Sequence, residues 1–186
     1  MQYRNLVNAL LIIPVLVLFS SISLASDGVM AEAINKAGMQ RMLSQRIAKS
    51  YFLKGLGENS VSANRQLDQS ILEFEKNLTD LTFFVKKNRL DTALPDLIDK
   101  WQAYKKLVLS PASRKTGKTV LLQSDLPLSD AHKLTQQIQT FSGIKTAELV
   151  NISGRQRMLA QRISKLYMAY CWNLEGEQAL DRKSVV

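Results

Sequence analysis

Residues 34–51 read INKAGMQRMLSQRIAKSY, and residues 150–167 read VNISGRQRMLAQRISKLY. The second stretch repeats the first 116 positions later without a gap, and eleven of the 18 positions are identical. A shared amphipathic pattern would preserve the spacing of apolar residues, but it would not preserve Gly, Arg, Gln and Lys together. We interpret the two stretches as an internal duplication.

Between and around the two copies, apolar residues recur at spacings of three and four, which is typical of amphipathic helices. The pattern predicts helices over residues 27–56, 60–88, 91–109 and 129–174. Pro111, Gly117 and Pro127 predict an exposed loop over 110–127. The predicted fold is therefore all-α, an antiparallel four-helix bundle whose long last helix carries the second copy of the repeat.

This pattern divides the chain into a leader of residues 1–25, a bundle of residues 26–148, and a second motif helix of residues 149–186. In such a bundle Arg157 would lie about 22 Å beyond the level of Arg41. The second copy would then project past the bundle, as a shortened second repeat or as a surface for another chain. A kink at Ser153 and Gly154 could alternatively fold it back against the first copy.

The leader has the layout of a secretory signal peptide. Arg4 precedes the apolar run LLIIPVLVLF of residues 10–19, and Ser23 and Ala25 supply small residues for a cleavage site. We expect a periplasmic or otherwise extracytoplasmic protein. The alternative is an uncleaved inner-membrane anchor of residues 6–25, which is just long enough to cross a bilayer.

The composition excludes several kinds of site. The 186 residues include one Cys and one His, which cannot form a Cys/His zinc site, and no other metal or cofactor is expected. No paired carboxylates, phosphate loop or nucleophile motif appears, so we expect no enzyme. The formal net charge is +9, but the excess lies in residues 33–57 and 149–174, which carry nine basic residues and no acid. These basic residues alternate with Met, Leu and Ile, unlike an open nucleic-acid-binding stripe, and no nucleic acid is expected.

The repeat places arginine beside glycine on one helix face. Gly38, Arg41 and Gln45 share a face in the first copy, as do Gly154, Arg157 and Gln161 in the second. Glycine leaves room for a partner helix or a small anion, and the guanidinium is suited to bidentate recognition of an oxyanion. A guanidinium at a helix seam needs a counter-charge, and neither copy contains an acid to supply one.

These residues resemble two related bacterial families. Asn35-Lys36-Ala37-Gly38 with Arg41 resembles the ligand-sensing helix of nitrate/nitrite sensor histidine kinases. Gly-x-Gln-Arg-Met-Leu-x-Gln-Arg, present in both copies, is even closer to the extracytoplasmic N-terminal domain of type IV pilus methyl-accepting chemotaxis transducers. The resemblance implies a periplasmic four-helix bundle. In the nitrate sensors the Arg of this motif binds a small anion between the first helices of two subunits.

Carried over by position, the ligand-binding role falls on the Gly-x-x-Arg residues and their neighbours. The residues concerned are Arg41, Arg157, Gly38, Gly154, Lys36, Gln45 and Gln161, with Arg46, Arg162, Lys49 and Lys165 as possible secondary contacts. Ile152 replaces the lysine in the second copy. The resemblance supports a small, nitrate-like oxyanion and does not identify it.

Two hypotheses follow. The first is a sensing or binding domain for a small anion, which works with a second subunit or with a membrane signalling partner. The second is a non-catalytic interaction module, in which the same faces dock helices of a partner or of a second subunit.

Overall fold

The computed structural model describes residues 2–57, 60–143 and 147–174. For residues 2–26 and residue 60 it describes the backbone but not the side chain. This part of the chain is helical and contains no strand, which confirms the all-α prediction. Its helices are α1 (Gln2–Leu56), α2 (Ser60–Lys87), α3 (Leu94–Leu109), α4 (Arg114–Gln123), α5 (Asp125–Ser142) and α6 (Ala147–Cys171).

The prediction of one long last helix is wrong. Gly143 adopts a left-handed conformation with φ of 62°, which glycine reaches without steric cost, and it ends α5 after Ser142. The chain then reverses before Ala147, so the second copy of the repeat lies on a separate helix, α6. The second copy does fold back against the first, as in the alternative above, but through the break after Ser142, because α6 continues through Ser153 and Gly154.

The predicted loop over residues 110–127 contains a helix. The Ser113 side chain caps α4 by accepting a hydrogen bond from the backbone N–H of Thr116. Gly117 lies inside this helix, and the Trp172 and Leu174 side chains pack where any other residue would carry its Cβ atom. Helix α5 begins at Asp125, four residues before the predicted helix start at residue 129.

Helix α1 occupies the centre of the fold and packs against α2, α5 and α6. Helix α2 is antiparallel to α1, because Lys36 pairs with Asp80 near one end of the contact and Ser50 bonds to Gln66 near the other. Helix α3 packs on α5 and α2. These contacts bury one continuous apolar core.

The core also fixes α3 against its neighbours. The Trp101 ring stacks on Phe74 of α2 with a centroid distance of 3.9 Å. The Tyr104 hydroxyl donates a hydrogen bond of 3.1 Å to the Ser44 carbonyl of α1. Aromatic stacking and this buried bond set the register of α3 on α1 and α2.

The signal peptide predicted for residues 1–25 and the alternative anchor at 6–25 depend on side chains outside the described residues, and both stay predictions. Within the residues whose side chains are described, no helix is both long enough and apolar enough to cross a bilayer.

Candidate functional site

The two copies of the repeat face each other. A Cβ atom placed on Gly154 would lie 3.9 Å from the Cα atom of Gly38, so the helices approach closely at this pair of glycines. Farther along, the Phe52 ring lies 6.1 Å from the Trp172 ring. Residue numbers therefore increase in the same direction on both helices, and α6 runs parallel to α1.

Arg41 lies over the glycine pair. Its side chain is buried, and its Nη2 atom lies 3.2 Å from the position of a Cβ atom on Gly38 and 3.2 Å from that on Gly154. Nη2 donates to the Asn151 carbonyl at 3.2 Å, and Nη1 lies 3.3 Å from Nδ1 of His132. Since a guanidinium only donates, Nδ1 of this histidine accepts, and the imidazole is neutral.

No carboxylate of the described residues balances this buried charge. Within the described residues, Arg41 forms no ion pair, and its buried Nε atom has no hydrogen-bond partner. Burial, together with the smaller effect of the charges of Arg155 and Arg157, lowers the pKa of Arg41 to about 10. Burial and the charges of Arg41 and Arg155 also lower the pKa of His132. The site is therefore strongly electropositive.

The second copy of the arginine is placed differently. Arg157 is exposed, and its Nη2 atom donates to Oδ1 of Asn35 at 3.0 Å. Asn35 and Asn151 occupy the same position of the repeat, so each arginine bonds to the asparagine of the other copy. The seam has an approximate two-fold relation in which one arginine is buried and the other is open to solvent.

Gln45 and Gln161 lie one turn farther along the seam. The Gln45 amide donates to the Ser124 carbonyl at 3.0 Å. The Oε1 atoms of Gln45 and Gln161 are buried, and neither has a partner within the described residues. Burying an amide oxygen without a hydrogen-bond donor costs folding free energy. Both oxygens can therefore accept a hydrogen bond from a donor that enters the seam.

Lys36 and Arg46 of α1 are directed toward α2 and lie away from the glycine pair. Lys36 forms ion pairs with Asp80 at 2.8 Å and with Glu32 at 3.3 Å, and the hydrogen bond to Asp80 raises its pKa. Arg46 donates to Glu73 at 2.7 Å. The structure thus does not bring Lys36 or Arg46 together with Arg41.

The other secondary candidates also lie apart from Arg41. Lys165 is buried and bonds to Ser124 at 2.9 Å and to Asp125 at 3.0 Å, and Arg162 reaches the same carboxylate at 3.5 Å. Lys49 is half-buried, and burial and the charge of Arg46 lower its pKa. Asp125 gives α6 its anchor on α5, so Lys165 and Arg162 have a structural role.

Sequence reasoning missed His132 and Arg155 as members of the site. His132 lies near the start of the predicted last helix, where a side chain is expected to face solvent, and only the antiparallel packing of α5 on α1 brings it to Arg41. Arg155 has no basic counterpart in the first copy, where Met39 occupies its position. The sequence could have identified Asn35 and Asn151 as members of the site, because both copies of the repeat have asparagine at this position.

The described chain is all-helical, with a basic seam between the parallel helices α1 and α6. A family model described as type IV pili methyl-accepting chemotaxis transducer N-term matches residues 22–127, which is more than half of the chain, and the chain belongs to this family. The match includes the first copy of the repeat and ends before the second. No curated protein and no solved structure matches the chain.

Proposed function

We propose that this sensor-type domain binds a small oxyanion at the seam between α1 and α6, with Arg41 as the central ligand-binding residue. The observation that carries the proposal is the buried Arg41 guanidinium, which has a free Nε atom and no carboxylate partner within the described residues. An uncompensated buried charge costs several kcal/mol, and a bound anion would offset that cost.

The neighbouring groups suit an anion. Arg155 and Arg157 are exposed beside Arg41 and would attract the ligand from solvent. Gly38 and Gly154 leave the guanidinium uncovered by a Cβ atom on either helix. A planar or small tetrahedral oxyanion could accept hydrogen bonds from the Nε and Nη atoms of one guanidinium together.

We further infer that α1, α2, α3 and α5 form the four-helix bundle expected for this family, and that α6 replaces the first helix of a second subunit. Helix α6 carries the same motif as α1, runs parallel to it and presents Gly154 to Gly38. One chain would thus supply both halves of an anion site. We place the domain outside the cytoplasm, where its output would pass through a membrane signalling partner.

A thermal-shift titration tests the anion site. Nitrate, nitrite, sulfate and phosphate are added at constant ionic strength to the wild type, Arg41→Met, Arg157→Met and the exposed-site control Arg114→Met. We expect one anion to raise the melting temperature saturably in the wild type and the control. The Arg41 variant should lose the response, the Arg157 variant should weaken it, and circular dichroism should show unchanged helicity in all four proteins.

A second candidate function, a helix-docking seam without a ligand, is favoured by the close approach of Gly38 and Gly154. In that case no anion changes the melting temperature. The Arg41 and Arg157 variants would then lose helicity or melt early in the absence of any ligand, whereas the Arg114 variant would not.

A further inference from the structure

One face of α6 is apolar and uncovered. Its exposed positions alternate at spacings of three and four over about 32 Å of helix, which is the heptad pattern of a coiled coil. The seven positions are Leu149, Ile152, Gln156, Leu159, Ile163, Leu166 and Tyr170. We call them the α6 outer face.

The first copy of the repeat contains the same face, so the burial of equivalent side chains can be compared between the two copies. Leu43 and Ile47, the equivalents of Leu159 and Ile163, are fully buried, whereas Leu159 is 42% exposed and Ile163 is 69% exposed. The same side chains at the same positions of a duplicated helix are therefore covered in one copy and bare in the other.

Helix α2 covers the face in the first copy. Gln40 and Ser50, which bracket Leu43 and Ile47 on that face of α1, bond to the Phe74 carbonyl and to Gln66 of α2. Within the described residues, α6 has no helix in the corresponding place. The surface was duplicated together with the motif, but no described helix covers it in the second copy.

We propose that the α6 outer face binds the same face of a second copy of this chain, as a parallel two-stranded coiled coil about a two-fold axis. The heptad pattern is self-complementary, since it places Leu and Ile at most core positions. Gln156 is the one polar core residue before Tyr170. In a parallel pair it meets its own copy, and an amide pair at such a position fixes the register.

The charges beside the face favour the parallel arrangement. Glu148, Arg155 and Arg162 flank the core on one side, while Ser153, Ala160 and Tyr167 flank it on the other. Arg162 also pairs with Asp125 of α5. Parallel helices pair one side with the other, so that each arginine meets an uncharged residue of the second copy. Antiparallel helices in full overlap would pair the charged sides and bring Arg155 close to Arg162 of the second copy, and like charges across a coiled coil are destabilising.

Sedimentation velocity of the full chain tests the interface. We expect the wild type to dimerise reversibly with concentration. Ile163→Glu should raise the dimer dissociation constant at least about tenfold. Leu72→Glu is the matched control, because Leu72 is 70% exposed on α2, away from this face. Circular dichroism melting confirms that both variants fold, and a wild type that stays monomeric at all concentrations would overturn the proposal.

Disulfide formation distinguishes the two orientations. In a Cys171→Ser background, Gln156→Cys and Leu159→Cys should each oxidise to a cross-linked dimer, because each of these residues faces its own copy only in the parallel pair. An antiparallel pair would instead set residue 156 of one copy against residue 159 of the other, so only a mixture of the two variants would cross-link. The exposed control Lys118→Cys should cross-link in neither orientation. Cross-linking confined to the mixture would overturn the parallel arrangement. Failure of both variants and of their mixture, or a dimer insensitive to Ile163→Glu, would overturn the interface itself.

Discussion

Replacing Arg41 by methionine should stabilise the ligand-free protein, although it removes the central side chain of the seam. A fall of the pKa from 12.5 to about 10 corresponds to about 3 kcal/mol of destabilisation of the charged form. This penalty is present in full below pH 10 and is relieved as the pH rises above about 10, because the folded protein then releases a proton that the unfolded chain still holds. At pH 7 the folded protein therefore bears the whole cost.

The loss of two long hydrogen bonds offsets part of this gain. The bonds of Arg41 to Asn151 and His132 measure 3.2 and 3.3 Å, and each is worth about 1 kcal/mol. We expect Arg41→Met to raise the free energy of unfolding by about 1 kcal/mol, measured by urea denaturation in a buffer without oxyanions. Arg46→Met is the matched control on the same helix. Its guanidinium is paired with Glu73, so its loss should lower stability by about 1 kcal/mol.

The reasoning fails if Arg41→Met lowers the free energy of unfolding as much as Arg46→Met does. That result would mean that the buried guanidinium is compensated in the ligand-free protein, and the argument for an anion at this position would lose its support.

Two other predictions concern the ends of the seam and its pH dependence. A Cβ atom on Gly55 would overlap the Trp172 ring, so Gly55→Ala should displace the ring, lower stability by about 1–3 kcal/mol and shift tryptophan emission to the red. Gly28→Ala, where nothing lies within 4 Å, should instead stabilise the helix by about 0.5–1 kcal/mol. Burial and the charges of Arg41 and Arg155 lower the pKa of His132 in the folded state, so its contribution to stability is complete above pH 6.5 and is lost as the pH falls from 6.5 to that lower pKa. Melting temperatures between pH 7.5 and 5 should therefore fall less in His132→Asn than in the wild type, and equal falls would contradict the assignment.

The sequence was sufficient for the helical fold and for the duplication, because both depend on local spacing. Apolar periodicity located α2 and α3 to within a few residues. Gly57, with φ of 77°, ends α1 where the pattern stops. These features depend on residues close together in the chain, which a helical wheel represents correctly.

The reversal at Gly143 was not predictable from the same signals. Ser142 and Gly143 differ little from Ser153 and Gly154 as a helix-weakening pair, yet only the first pair breaks the helix. Tertiary packing decides between them, since a break at Gly143 lets Gly154 pack against Gly38 and lets α6 bury Ala169 and Trp172. The helix α4 was missed because its Gly117 is unfavourable locally and is compensated by Trp172.

The candidate site was only partly accessible from the sequence. The motif identified Arg41 and Gly38, because an arginine and a glycine repeated together need a physical reason. The identical residues did not reveal that Arg41 is buried whereas Arg157 is exposed. That difference arises from α5, which brings His132 over one arginine and leaves the other uncovered.

The hairpin at Gly143 has a consequence for how the seam assembles. When two separate subunits form such a seam, its population depends on protein concentration and it is lost on dilution. Here the short connection between α5 and α6 keeps the second motif at a high effective concentration beside the first. The pairing of Gly38 with Gly154 should therefore persist in a single isolated molecule. The two arginines, encoded separately in one chain, are also free to diverge by independent mutation, which two identical subunits do not permit.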